Sequence, residues 1–249
     1  MLLKKWNELP REMQCEEVRH YYDKLSQRRV GLAFKRIFDV ICAALMLIVL
    51  SPVFLVLAVW IALDSKGGVF FKQERVTTCG KSFYILKFRT MVKNAEQLGS
   101  LVTVSNDCRI TNAGRFLRKS RLDELPQLIN VLKGEMSFVG TRPEVRKYVD
   151  VYTAEMLATL LLPAGITSQA AIRYKDEDVL LKTAEDVDKV YIENVLPAKM
   201  YYNLKEVREF SFWKDIATIF QTVLAVCGLL KDKEPLSVSG ETEEETAKV

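Results

Sequence analysis

The chain has 249 residues, 49% hydrophobic and 27% charged, with a net charge of +4, enough for one folded domain with attachments. Its five scattered cysteines form no CxxC pair, which excludes a disulfide framework and a zinc site and fits a reducing compartment. A single histidine, His20, leaves little room for Ser-His-Asp, Cys-His or His-metal chemistry, so catalysis has to come from carboxylates, Lys or Arg, with or without a hard metal ion.

Residues 1–36 carry nine Lys or Arg against five acids, a basic front that suits an anionic surface. Residues 40–63 are apolar throughout except for Ser51 and Pro52. A spanning helix needs about 20 such residues, so membrane contact is expected. The proline breaks or kinks the helix and leaves two halves of about 12 residues, each about 18 Å long against about 30 Å of hydrocarbon. Arg28, Arg29, Lys35 and Arg36 precede the run, and Lys66, Lys72, Arg75 and Lys81 follow it. The positive-inside rule puts both flanks on the cytoplasmic side, which favours a helix-break-helix hairpin that dips in and returns. A kinked single span is the competing reading. In the hairpin, Ser51 can bond a carbonyl freed by the proline.

Residues 69–76 (VFFKQERV) and 82–90 (SFYILKFRT) are rich in aromatic and β-branched side chains and flank a turn at 77–81 containing Gly80, which predicts a β-hairpin. Lys87 and Arg89 fall on one strand face, where they either hold a phosphate or are solvated. Arg115, Arg118, Lys119 and Arg121 then lead into Asp123 and Glu124. Leu125, Leu128, Ile129 and Leu132 share one helical face, Pro126 suits its first turn, and Gly134 stops it. The two carboxylates therefore lie at a helix N-terminus, where acids commonly serve as caps. They equally suit attack on phosphorus, with nearby Arg and Mg²⁺ neutralising a diphosphate.

Further helices are expected at 144–162, 183–195 and 197–210, with a loop at Pro163-Ala164-Gly165. Glu144 and the run Asp176-Glu177-Asp178 read as surface charges. Residues 216–230 are too short to span and form either an interfacial helix or a buried core helix. Residues 231–249, with six acids and few apolar side chains, are expected to be disordered.

Several ordered motifs carry a resemblance. They are KRIFDV (35–40), Ser51-Pro52, VFFKQERV (69–76), KFRTM (87–91), GRFLRKSRLDELPQLINVLKGEMSFVG (114–140) and RPE (142–144). From about residue 35 to 228 the chain resembles the monotopic phosphoglycosyl transferases, bacterial sugar transferases that start lipid-linked glycan assembly, in their compact form. The resemblance implies an α+β fold, with a mostly helical catalytic domain and a small β-hairpin attached to a proline-broken re-entrant membrane helix. The expected organisation is a basic N-terminal segment (1–34), the membrane helix-break-helix (35–66), a cytoplasmic catalytic domain with interfacial helices (67–230) and an acidic tail (231–249).

By the same resemblance, a sugar phosphate passes from a UDP-sugar to polyprenyl phosphate through a covalent aspartyl intermediate, with release of UMP. Asp123 is the expected nucleophile and Glu124 its partner, with Mg²⁺ held at Asp123 and Glu124. Arg118, Arg142, Lys87 and Arg89 are expected at substrate phosphate, with Pro143 fixing the corner that meets the nucleotide. Ser51-Pro52 is the expected membrane break and Lys35-Arg36 the interfacial anchor. Implied partners are the UDP-sugar, polyprenyl phosphate, membrane phospholipids and downstream glycosyltransferases, with no nucleic acid, at the cytoplasmic face of a bacterial inner membrane. The competing readings are a catalytically silent membrane scaffold and a direct single displacement. Four positions depart from the usual pattern: Thr141 and Ala164 each replace a proline, and Ser168 and Thr77 each a glycine.

Overall fold

The computed structural model describes residues 3–93, 108–174 and 186–229. The expected acidic tail (231–249) and the Asp176-Glu177-Asp178 run lie outside these residues. The described chain is mostly helical, with two small two-stranded sheets.

The basic front segment is folded. Helix α1 (Glu16–Ser26) buries Val18, Tyr21, Tyr22 and Leu25, an i, i+3, i+4, i+7 stripe. They pack with Leu3, Leu9 and Met13 against Val149, Leu160, Leu161, Val207 and Phe210 of the domain. Trp6 meets the Tyr22 ring edge-on at 5.1 Å, and Arg19 covers Trp6 at 4.7 Å. The Tyr21 hydroxyl donates to Glu155, and Arg28 donates to the Phe210 carbonyl. Residues before 35 thus belong to the domain's largest apolar cluster. Their cations line its outer side.

Helix α2 (Arg29–Val49) and helix α3 (Ser51–Asp64) meet at Leu50 with a bend of 62°. Pro52 lies in the first turn of α3, where its missing N–H costs nothing, and Ser51 Oγ donates to the Ile48 carbonyl at 2.8 Å. No single described helix is long and apolar enough to cross a membrane. Along the bent pair Ile41, Leu45, Ile48, Val49, Leu55, Val56 and Leu63 are exposed, an apolar surface that demands a partner.

The base of α2 is fastened to the domain. Arg36 donates to the carbonyls of Val131 (2.7 Å) and Leu132 (2.9 Å) at the end of helix α5 (Gln127–Lys133). The Val131 carbonyl also accepts from the Gly134 amide at 3.0 Å, and a cation at this end of the helix suits the dipole. Lys35, 8% exposed, donates to the Val139 carbonyl at 2.8 Å and pairs with Asp215. Asp39 accepts from the Phe138 amide at 3.3 Å. Lys35 and Arg36, expected as the interfacial anchor, thus direct their charges to the domain itself. Carbonyls and a carboxylate of the domain satisfy these two charges.

Strands β1 (Phe70–Thr77) and β2 (Lys81–Phe88) form the expected hairpin through a turn at Thr78–Gly80. Thr77 stands where a glycine was expected and has its own role. Its hydroxyl donates to the Glu135 carbonyl at 2.7 Å and accepts from the Ala164 amide at 3.1 Å. After helix α4 (Asn112–Lys119) and α5 come β3 (Met136–Val139) and β4 (Ala164–Thr167), a short parallel pair that the sequence reading missed. Gly140 and Gly165 cross so closely that a Cβ on Gly165 would sit 2.2 Å from the Gly140 nitrogen.

The helix expected over 144–162 is instead the single turn α6 (Arg146–Val149) and a 3₁₀ segment, Met156–Leu161. Helix α7 (Gln169–Arg173) is capped by Ser168, whose Oγ accepts from the Ala171 amide at 3.0 Å. Helix α8 (Val187–Val190) runs through a π-helical turn (Tyr191–Val195) into α9 (Leu196–Arg208). The last helix, α10 (Phe212–Val226), exposes Trp213, Phe220, Val223 and Val226, so the buried-core reading of 216–230 does not hold.

Because Leu25 is fully buried, Leu25→Ala is expected to cost about 2–5 kcal/mol. A lowered thermal midpoint of the detergent-solubilised chain checks this; an unchanged midpoint would mean that the front segment does not support the fold.

Candidate active site

The acidic pair stands on a turn fixed from three sides. Thr111 caps α4 by accepting from the Gly114 amide at 3.0 Å, and Asp64, the last residue of α3, accepts from the Ala113 amide at 2.9 Å. Gly114 lies against the Thr90 backbone, where a Cβ would sit 2.0 Å from the carbonyl oxygen. Arg121 then takes the left-handed conformation (φ 57°), a choice that costs a non-glycine residue about 1 kcal/mol. It reverses the chain into a 3₁₀ turn, Leu122–Glu124. Leu122 and Leu125 hold this turn against Leu57 and Ile61 of α3, Phe88 of β2 and Leu117 of α4.

Neither Asp123 nor Glu124 caps a helix: α5 starts at Gln127, and its N-cap position is Pro126, without a side-chain cap. Glu124 Oε1 accepts from Arg142 Nη2 at 2.6 Å and from Lys87 Nζ at 3.1 Å, and Arg142 Nη1 lies 3.4 Å from Oε2. A fork from one side and a point charge from the other leave Glu124 enclosed by cations. Asp123, beside it, is buried.

The two carboxyls are driven apart in acidity. Burial raises the Asp123 pKa, the Lys87 charge opposes this, the Glu124 charge adds to it, and Arg118 and Arg121 lower it, with a net rise. Burial would also raise Glu124, but Arg142 and Lys87 outweigh it and hold that carboxyl well below the usual range. Burial lowers the Lys87 pKa, against the Glu124 charge. Neighbouring charges and burial thus give two adjacent carboxyls opposite shifts.

Of the expected phosphate-contacting residues, Lys87 and Arg142 converge on the dyad, and Arg118, half-buried, acts on Asp123 through its charge. Arg89 does not join them. Strand β2 ends at Phe88, and the buried Arg89 guanidinium donates to the Ser65 carbonyl (2.7 Å), Ser65 Oγ (2.9 Å) and the Ile61 carbonyl (3.3 Å). It closes the C-terminus of α3, where free carbonyls attract a cation. Pro143 is buried, and its carbonyl accepts from Arg75 at 3.3 Å. Glu144 is not a surface charge: it is buried among Arg75, Tyr191 and Lys199, all missed by the sequence reading.

Among the described residues no three His, Cys, Asp or Glu converge as a ligand cage. Two adjacent carboxylates nevertheless suit Mg²⁺, which takes one or two protein carboxylates and completes its shell with waters and substrate phosphates.

The description "Bacterial sugar transferase" belongs to the family that matches residues 30–228. A UDP-N-acetylgalactosamine-undecaprenyl-phosphate N-acetylgalactosaminephosphotransferase of Aeromonas hydrophila is 36% identical over 77% of this chain and 43% of its own length. A UDP-glucose:undecaprenyl-phosphate glucose-1-phosphate transferase of Klebsiella pneumoniae is 36% identical over 78% of this chain and 40% of its own length. The chain thus spans about two fifths of these two relatives. The exopolysaccharide production protein ExoY of Rhizobium meliloti is 32% identical over 80% of this chain and 88% of its own length. With the match running from the base of α2 to the end of α10, the chain belongs to the bacterial sugar transferase family.

Proposed function

We propose that this protein transfers a sugar 1-phosphate from a UDP-sugar to polyprenyl phosphate through an aspartyl-phosphosugar intermediate at the cytoplasmic face of a bacterial inner membrane. One observation carries the reading: a buried Asp123 beside a Glu124 held by Lys87 and Arg142. The names of the relatives, which act on undecaprenyl phosphate, support the substrate class.

In the first step an Asp123 carboxylate oxygen attacks the sugar-bearing phosphorus of the donor. The bond from that phosphorus to the bridging oxygen breaks, and its electron pair leaves with UMP. A carboxylate made more basic by burial is the better nucleophile of the pair. Lys87, Arg142 and Arg118 supply positive charge to the diphosphate and to the leaving oxygen. In the second step a phosphate oxygen of the polyprenyl acceptor attacks the same phosphorus, and the Asp123 carboxylate is released. When bound, Mg²⁺ at Asp123 and Glu124 would neutralise diphosphate charge.

The bent pair α2–α3 is read as a re-entrant membrane hairpin. The apolar end of α2, residues 40–49, reaches about 15 Å and α3 about 21 Å, both short of about 30 Å of hydrocarbon. The exposed apolar residues of α10 suit the same interface. The turn bearing the dyad packs on α3, which would keep the nucleophile at the depth of the acceptor's phosphate.

Asp123→Asn is expected to keep the fold and cut UMP release from a UDP-sugar on the order of 10⁴-fold, measured with the detergent-solubilised chain; normal turnover would remove Asp123 from the chemistry. Without acceptor, the wild-type protein is expected to release one UMP per active site and then stop. Release that strictly requires polyprenyl phosphate would favour direct displacement. Excess EDTA is expected to abolish turnover, and full activity in chelator would remove the metal from the account.

A further inference from the structure

Behind the Arg142-Pro143 corner lies a buried polar cluster that the chemistry above does not use. Glu144 and Lys199 are 7% and 5% exposed. The Tyr191 hydroxyl donates to Glu144 Oε1 at 2.6 Å. Lys199 Nζ donates to the Tyr191 oxygen at 3.1 Å and lies 3.5 Å from the same Glu144 oxygen. Arg75 faces Glu144 Oε2 at 3.9 Å and donates to the Pro143 carbonyl at 3.3 Å. The Glu144 carbonyl accepts from the Val76 amide at 2.9 Å, and the Tyr148 ring packs on Tyr191 at 4.6 Å.

Burying a lysine, a glutamate and an arginine together is costly, and well-packed apolar residues often serve stability as well or better. The helix is also altered to make the cluster. Tyr191 and Lys199 are eight residues apart, which on a regular α-helix at about 100° per residue places them about 80° apart. The π-helical turn at Tyr191–Val195 takes up one extra residue. The pair then behaves like i, i+7, about 20° apart, and both side chains reach one carboxylate. Such turns are rare and often occur at functional sites.

The two residues following Arg142 are thus held by four groups from three elements, while the Arg142 guanidinium reaches forward to Glu124. Arg75 and Arg142 are also close enough for their charges to oppose, and Glu144 stands on Arg75 as counter-charge. We propose that Tyr191 and Lys199 are positioning residues, acting through Glu144 to aim the Arg142 guanidinium at the donor's diphosphate. The inference rests on the reading above in which Arg142 contacts that diphosphate. Displacement of about 1 Å at such a contact can cost 10²-fold in rate, which gives a remote clamp its leverage.

The test is a double-mutant cycle on UDP binding, by titration calorimetry of the full detergent-solubilised chain, with a thermal midpoint for each variant. Arg142→Ala is expected to weaken UDP at least tenfold. Tyr191→Phe, which keeps the ring and loses the hydroxyl, is expected to weaken it about five- to tenfold with the midpoint lowered by only a few degrees. Lys199→Met is the second probe of the same clamp, should Tyr191→Phe fold poorly. In the Arg142→Ala background either change is expected to add nothing, the signature of action through Arg142 rather than through general loosening. The inference is overturned if UDP binding is unaffected by both changes, or if their effects persist undiminished without Arg142. If Arg142→Ala itself leaves UDP binding intact, the reading of Arg142 as a diphosphate contact fails, and the clamp has nothing to aim.

Discussion

The fastening of α2 to the domain governs the rest of the molecule. Within five residues Lys35, Arg36 and Asp39 bond the Val139 carbonyl, the carbonyls ending α5 and the Phe138 amide. Lys35 is additionally neutralised by Asp215 of α10. Charged groups removed from water are tolerated only with partners in good geometry, so these bonds fix an orientation as well as a contact. They set β3, α5 and α10 at one height along the apolar helix. The dyad turn precedes α5, and the Arg142 corner follows β3. Both halves of the site therefore take their positions from the same few side chains at the foot of α2.

At the site, the cations are already balanced. Glu124 holds the Arg142 fork and the Lys87 ammonium, so neither stands as an uncompensated charge in a partly buried cleft. On the proposed reading, an arriving diphosphate would share or replace Glu124 as the partner of these groups. That exchange would trade one anion for another rather than desolvate fresh charge, and it would leave Asp123, with its contrasting environment, as the group proposed for attack.

How much of this was legible depended on the range of the interaction. The hairpin, the helix stop at Gly134 and the break at Pro52 are local, and alternation, glycine and proline announce them. The parallel pair β3–β4 has four residues per strand and is held by backbone crossing, so it leaves no periodic trace. Helix α1 carried a readable stripe at Val18, Tyr21, Tyr22 and Leu25, but counting charges alone turned attention to its cations. Arg89 follows strand alternation on paper, and the end of β2 one residue earlier removes it from the Lys87 face. Arg121 adopts a left-handed turn with no glycine or asparagine to signal it. The Glu144 cluster joins residues 75, 144, 191 and 199, and no local pattern reports such a convergence.

The crossing of Gly140 and Gly165 bears on how the protein can change. A Cβ on Gly165 would sit 2.2 Å from the Gly140 backbone and one on Gly140 would sit 2.8 Å from the Pro163 carbonyl oxygen, so no rotamer adjustment can absorb a larger residue at either position. Side chains begin again at the neighbours: Thr141 follows Gly140, and Ser168, after β4, caps α7. The crossing therefore fixes the spacing between the Arg142 corner and the start of α7, whatever side chains the neighbouring positions carry.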